Sequence, residues 1–374
     1  MPSFTLHNSY SYEDIALGYF DCRKHKRMTG SALSFELNFE YELHKLLNDI
    51  NNDKYEIGPT RAFVVKWPKP REIWAALFRD RIVHHLICRD IAPYYEGKFI
   101  EDSYSCIKNR GSLAAIQRCD KFARSITQNW SKNAWILQMD IKNFFISINK
   151  HILYDIITND IGKSSLTSDL IKQVIFSNPT KSPIVVNKED FKLIKPEKSL
   201  WNCPSDNGLP IGNLTSQTFA NVYLDLLDKY IKHKLKAKYY VRYVDDFFIM
   251  SKDREQLYTY CSSINEFLKA NLKLELNLNK TCIIPVNSGI TFLGSHILPF
   301  RTLPKKMLVN KIDNIVSILQ TNITDEHMLS SINSYLGLLR HKNTYSLRKK
   351  YCKLLSIPTL LGYDNNYTKI VKLN

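Results

Sequence analysis

The spacing of apolar residues divides the chain into four stretches. From residue 11 to about 57, apolar side chains recur through Phe35, Leu37, Phe39, Leu43, Leu46 and Leu47, a helical spacing, and Ser11 stands three residues before Asp14 as a cap. Residues 60 to about 130 are rich in Arg and Lys. From 134 to about 300, strand-like and helix-like runs alternate. From 301 to 374 the pattern is mostly helical and again basic, with Arg340, Lys342, Arg348, Lys349 and Lys350. Within the third stretch, residues 160–205 are polar and interrupted by Ser164, Ser165, Pro179, Pro183 and Pro196, which predicts an irregular insertion. No internal repeat and no low-complexity linker separates these stretches, so they are expected to be subdomains of one body.

Three local patterns carry candidate chemistry. Residues 239–251 read YYVRYVDDFFIMS, two apolar β-prone runs parted by Asp245-Asp246, the pattern of a tight hairpin with two carboxylates at its tip. The two charges repel and their apolar flanks lower the local dielectric, so a cation is the simplest means of keeping both ionised. Residues 134–148, AWILQMDIKNFFISI, form an apolar strand running into Asp140, with a helix predicted from about Asn149. A strand-end carboxylate beside the hairpin pair supplies the oxygen ligands that Mg²⁺ prefers, leaving room for phosphate and water. Residues 206–217, DNGLPIGNLTSQ, lead into an amphipathic helix with Phe219, Val222, Tyr223, Leu226, Leu227, Tyr230 and Ile231 on one face, and Gly208, Pro210 and Gly212 make a tight approach to it. Taken singly, each has a plainer meaning: a solvated Asp-Asp turn, a capping aspartate, a loop-to-helix junction.

Composition narrows the partners. The 374 residues are 44% hydrophobic and 12% aromatic, ample for a folded core, and 52 Lys and Arg against 36 Asp and Glu leave a net charge of +16. That balance favours a polyanion, nucleic acid before anionic membrane. Eight scattered cysteines with no C-x-x-C pair suggest neither zinc nor a disulfide framework, and a reducing cytoplasm fits them. The opening MPSFTLHNSYSYEDIA lacks a signal-peptide pattern, and nowhere do about 18 apolar residues run together, so no membrane association is expected.

Taken in order, the patterns resemble reverse transcriptases. The strand with Asp140 is similar to that family's first catalytic motif, GLPIGNLTSQ to the motif lining the nascent base pair, and YVDD at 243–246 to the metal-binding hairpin. Residues 276–281 resemble its lysine-bearing motif, Phe292-Leu293-Gly294 its primer grip, KWPKPREIWAALFRDRIVHHLI at 66–87 its fingers segment, and FIEDSYSCIKNRG at 99–111 follows the bacterial pattern. The resemblance spans roughly residues 11 to 350. It implies an α+β right-hand polymerase with an antiparallel-sheet palm, helical fingers and a helical thumb: an N-terminal helical extension at 1–58, fingers at 59–133, palm at 134–300 and thumb at 301–374. The 160–205 insertion in that palm is then a mobile loop or a template contact.

The resemblance also implies roles. Asp140, Asp245 and Asp246 would be catalytic and hold two Mg²⁺ ions, or Mn²⁺ in their place, with the Ile141 carbonyl joining them. Lys66 and Arg71 would contact the incoming dNTP, Phe145 would exclude a ribose 2′-hydroxyl, and Lys280 would protonate pyrophosphate. The residues taken alone read Lys280 as an exposed strand-end lysine and Phe145 equally well as core. Basic runs at 23–27, 232–238 and 340–350 would hold template RNA and cDNA. Ile211 before Gly212, with Ser216-Gln217 after, departs from the commoner form with Gln before the glycine and is similar to reverse transcriptases of diversity-generating retroelements. That type implies mutated cDNA with errors opposite template adenine and a small basic oligomeric accessory protein. A branched apolar side chain in place of a hydrogen-bonding Gln weakens discrimination between right and wrong pairs. The rivals are a retron, antiphage-defence or group II intron-like reverse transcriptase and, from another class, an RNA-binding scaffold without chemistry.

Overall fold

The computed structural model describes residues 4, 6–24, 29–321, 326–357 and 360–373. In chain order, helices α1 (Tyr12–Arg23), α2 (Gly30–Glu36) and α3 (Phe39–Asn51) precede the strands β1 (Thr60–Val65) and β2 (Arg71–Ala76) and the long helix α4 (Phe78–Lys98). Then come α5 (Ser112–Ile126), β3 (Trp135–Asp140), the single turn α6 (Phe144–Ser147), α7 (Lys150–Ile161), α8 (Leu166–Phe176) and the short β4 (Ile184–Val185). Helix α9 (Leu214–Lys229), the hairpin strands β5 (Tyr239–Tyr243) and β6 (Asp246–Ser251), α10 (Arg254–Phe267) and β7 (Cys282–Pro285) follow. The chain ends with β8 (Ile290–Phe292), β9 (Ser295–Leu298), β10 (Arg301–Pro304), α11 (Lys306–Thr321), α12 (Glu326–Leu339), α13 (Tyr345–Leu355), β11 (Leu361–Tyr363) and β12 (Ile370–Lys372).

Two compact units result. The first comprises the chain up to Asn109 with Gln138–Phe248 and Tyr258–Cys282, and the second comprises Arg110–Leu137, Ile249–Leu257 and the chain from Ile283 onward. In the first unit, Ser11 caps α1 as expected: its hydroxyl accepts from the Asp14 N–H at 3.2 Å and its own N–H donates to the Asp14 carboxylate at 2.8 Å. The amphipathic α3 buries Leu43, Leu46 and Ile50. Leu37, expected on that same face, is 82% exposed, because α2 ends just before it and the apolar stripe is broken there.

The site sheet runs in the order β5-β6-β3-β7. Strands β1 and β2 form an antiparallel hairpin in register from Thr60↔Ala76 to Val65↔Arg71. In the second unit, α11, α12 and α13 close on a core that includes Ile315, Leu319, Ile332, Leu336, Tyr351 and Leu355. Among the described residues no helix is long and apolar enough to cross a membrane.

The expected irregular insertion is corrected by the structure. Residues 166–176 are the helix α8, begun by the Ser165 hydroxyl accepting from the Ser168 N–H at 3.2 Å. Its buried Thr167 donates to Asp90, which also accepts from the Tyr10 hydroxyl at 2.6 Å. Sequence reasoning missed it because Ser and Thr at a cap and on a hydrogen-bonded face look like breakers when their partners are distant. The remainder is not a loose loop either. β4 pairs in parallel with β1, and buried Glu72 of β2 accepts from the Ser199 hydroxyl at 2.5 Å, the Leu200 N–H at 2.9 Å and the Trp74 indole at 3.1 Å. Ala62, Trp74 and Leu200 form a small core beneath it.

Candidate active site

Asp140 is the last residue of β3 and is buried. The two-residue turn Val244-Asp245 joins β5 to β6, a connection only antiparallel neighbours accept, and Asp246 opens β6 with its side chain exposed. The turn and the strand end are joined directly: the Ile141 N–H donates to the Asp245 carbonyl at 3.3 Å. Val244 takes φ +56°, a left-handed conformation costly for a β-branched residue, so its surroundings must hold it there.

Arg242 does so. It is wholly buried in β5, two residues upstream, and donates to Asp228 of α9 through Nε at 2.8 Å and Nη2 at 2.6 Å, and through Nη1 to Asn221 at 3.1 Å and to the Val244 carbonyl at 3.2 Å. The Tyr240 hydroxyl donates to the same Asp228 at 2.5 Å. A charge inside the apolar run YYVRYV and a carboxylate on the apolar face of α9 were the available signals for this network, and sequence reasoning passed over both. It also assigned Leu226 to that face, whereas Leu226 is 37% exposed.

A second wrapping element is the turn before β7. The Asn277 N–H donates to the Asp140 carbonyl at 2.8 Å and its side-chain amide to the Asp140 carboxylate at 3.1 Å, while the Lys280 ammonium spans both Asp140 oxygens at 2.7 Å each. Lys280 thus lies in a turn rather than at a strand end, and its charge faces a carboxylate. Asn277 was not singled out in the sequence, where only its turn-forming neighbourhood marked it. Asp245 is pushed up to about 6 by burial, then by the adjacent Asp246 and Asp140, with Lys280 opposing.

These electrostatics test whether a divalent cation suits the site. Three carboxylates meet with one ammonium among them, and the rise at Asp245 marks unbalanced negative charge that a dication would relieve. Among the described residues no three His, Cys, Asp or Glu side chains close into a ready-made cage. The donors here, carboxylate oxygens, are the kind such an ion takes.

The other candidate residues gather beside this cluster in part. The Gly208 and Leu209 N–H groups donate to the Ile148 and Phe145 carbonyls at 2.9 and 2.8 Å, laying residues 208–212 along α6, where Phe145 is half-buried. The Ile211 carbonyl accepts from the Trp74 N–H at 2.7 Å. Gly212 has φ +126°, and a Cβ there would stand 2.8 Å from the Ile73 methyl, so glycine is required for this approach to β2. Gln217 is exposed in the first turn of α9, and Arg71 is exposed where β2 leaves the loop of the hairpin. Lys66 pairs with Asp190 at 2.9 Å on the surface. Of the basic runs, Arg23 pairs with Glu36 and Lys24 with Asp21, while His25, Lys26 and Arg27 lie outside the described residues. Lys232 reaches Asp102 at 3.5 Å.

The family model described as "Reverse transcriptase (RNA-dependent DNA polymerase)" matches residues 68–297, a span that contains Asp140, the hairpin and Lys280. The Putative COX1/OXI3 intron 2 protein of Saccharomyces cerevisiae is 24% identical over 331 residues, covering 75% of this chain and 37% of that protein. Protein YkfC of Escherichia coli is 22% identical over 295 residues, covering 70% of this chain and 72% of its own. The chain thus spans little more than a third of the yeast relative's length. Among solved structures, apo telomerase from Candida tropicalis aligns with 80% of this chain and 60% of its own at a TM-score of 0.46 and 14% identity. Telomerase from Candida albicans, solved with a TWJ fragment of telomeric RNA, covers 87% of this chain and 59% of its own at 0.45 and 12%.

Proposed function

The chain belongs to the reverse transcriptase (RNA-dependent DNA polymerase) family, its helices and antiparallel sheets making the α+β right-hand polymerase architecture, and we propose that it copies a template RNA into cDNA from dNTPs. The observation that carries this reading is the approach of Asp140, at a strand end, to Asp245 on a two-residue hairpin turn, with Asp246 opening the strand that follows. Asp140 and Asp245 would hold the divalent ions, proposed to be Mg²⁺ with Mn²⁺ as a substitute, and the Ile141 carbonyl and Asp246 would assist. Bound there, such ions lower the pKa of the primer 3′-hydroxyl and neutralise the triphosphate and leaving pyrophosphate. Lys280, which bonds Asp140, would hand a proton to the leaving group. Gly212 brings the backbone of residues 211–212 against β2, and Phe145 borders the same segment. Fingers at 59–133, palm at 134–300 and thumb at 301–374 are the division that follows, with 1–58 as an extension.

Within the family we propose the diversity-generating type, supported by Ile211 before Gly212 and by Gln217, with a small basic oligomeric accessory protein as partner. Ile211 presents only apolar side-chain surface to whatever packs on it, which suits low fidelity. The group II intron-like type is the second reading, favoured by the yeast relative, an intron protein by its printed name. Eight free thiols suit a cytoplasmic setting.

The test is extension of a primed RNA template with Mg²⁺ and each dNTP, with Asp245→Asn alongside and the cDNA sequenced. Extension by the wild type alone, with errors concentrated opposite template adenine, supports both levels of the reading. Faithful extension keeps the polymerase and rejects the diversity-generating type. Absence of extension with cognate RNA and candidate accessory protein present rejects both.

A further inference from the structure

Helix α6 is a single turn of 4 residues, too short to hold itself, and it carries Phe145. It begins after Asn143, which takes φ +48° and ψ +39°, a left-handed conformation that asparagine tolerates better than most side chains. The Asn143 carbonyl accepts from the Ile146 and Ser147 N–H groups at 3.1 Å each, which closes the turn. Its side chain does not cap what it opens. Instead Nδ2 donates to the Glu197 carbonyl at 3.0 Å, 54 positions along the chain.

The segment 196–203 meets α6 a second time, where the Cys203 thiol donates to the Ile146 carbonyl at 3.1 Å. Ile146 and Cys203 both pack against the small core of Ala62, Trp74 and Leu200. Between these attachments lies a cavity of ≈ 570 Å³, lined by Asn143, Ile146 and Ser147 of the turn and by Glu197, Asn202 and Cys203 of the segment. The turn therefore has space to move into, and the bonds beside that space set where it stands.

The same segment is fixed to β2. The Ser199 hydroxyl and the Leu200 N–H donate to buried Glu72, and the Trp201 ring meets the Trp74 ring edge-on at 5.0 Å. Gly208 has φ +91°, and a Cβ there would stand 2.8 Å from both Cys203 Sγ and Leu200 Cδ1, so the segment also lies directly against the start of the 208–212 approach. Residues 196–203 thus join β2, which begins with Arg71, to the turn that carries Phe145.

We propose that residues 196–203 are a brace that sets sugar selection in nucleotide addition, with Asn143 as the positioning residue. Its bond to Glu197 holds α6, and with it Phe145, where a deoxyribose clears the ring and a ribose 2′-hydroxyl does not. This rests on the polymerase reading and on the role of Phe145 that the family resemblance implies.

The experiment measures kcat/KM for one dNTP and the matching rNTP on a primed RNA template with Mg²⁺, in wild type, Asn143→Gly, Ser199→Ala and the pair. Glycine takes the left-handed conformation freely, so Asn143→Gly keeps the backbone and removes only the bond. Its dNTP-over-rNTP ratio is expected to fall about fivefold or more, the worth of one neutral hydrogen bond. Ser199→Ala loosens the segment at β2 without altering α6, and its ratio should fall in the same direction. The pair should lose less than the product of the two, because both act through one segment. An Asn143→Gly ratio equal to wild type shows that asparagine is there for its φ alone and overturns the proposal, as does a loss shared equally by dNTP and rNTP, the mark of a structural role. Should Asn143→Gly fail to fold, Ser199→Ala decides by the same ratio, a fall supporting the brace and no change refuting it. A wild type that adds neither nucleotide takes down the polymerase reading and this proposal with it, whereas one that adds both alike refutes this proposal alone.

Discussion

Removing Asp228 should separate stability from function in the hairpin network. In Asp228→Ala the Arg242 guanidinium keeps only Asn221 and the Val244 carbonyl, while both of its charge-assisted bonds, at 2.8 and 2.6 Å, disappear at full burial. Breaking one partner of such a pair costs about 3–5 kcal/mol, a large share of the roughly 5–15 kcal/mol that holds a protein folded. The double change Asp228→Leu with Arg242→Met removes both charges. It should be more stable than the single variant, short of wild type by about 1–3 kcal/mol for the stranded Tyr240 hydroxyl. Its primer extension should still fall on the order of 10²-fold, because the strained Val244 turn has lost the donor that fixes its carbonyl and with it the position of Asp245. Chemical denaturation of the three proteins and single-turnover extension measure the two halves. A single variant within about 1 kcal/mol of wild type, or a double variant that extends primers at the wild-type rate, refutes the argument.

Three further outcomes are expected. Gly212→Ala forces a Cβ to 2.8 Å from Ile73 at φ +126° and should cost about 1–3 kcal/mol, with a raised KM for dNTP; an unchanged KM would show that the approach to β2 does not set the substrate site. Glu72→Ala strands the Ser199 hydroxyl, the Leu200 N–H and the Trp74 indole, so limited proteolysis should cut first within residues 186–203 and stability should drop by about 1–3 kcal/mol; wild-type cleavage sites would count against it. His84 is buried beside the Thr215 hydroxyl at 2.7 Å, and its pKa is lowered from 6.5 to about 3, first by burial and then by His85 and Arg81. The unfolded chain therefore binds that proton at a higher pH than the folded one. Its contribution is complete above about pH 6.5 and is lost as pH falls toward 3, by up to about 5 kcal/mol. Denaturation midpoints of wild type and His84→Asn should diverge in slope across that window, and parallel slopes would refute it.

Much of the local structure was legible from residues alone, because the signals were short-range. Ser11 capping α1, Asn149 opening α7 and two β-prone runs flanking Asp245-Asp246 are each decided by neighbours a few positions away. The same holds for the glycine at 212, although only the fold shows that Ile73 is what leaves no room for a side chain.

What only the tertiary structure decided involves partners far apart in sequence. Thr167 in α8 is satisfied by Asp90, Ser199 by Glu72, Arg242 by Asp228, and Asp140 by Asn277 and Lys280. A buried polar group is stable only when its partner is present, and a linear pattern carries no record of which distant residue that is. For this reason the helix at 166–176 reads as irregular from the sequence alone, and the carboxylate that the exposed Lys280 faces is not legible there.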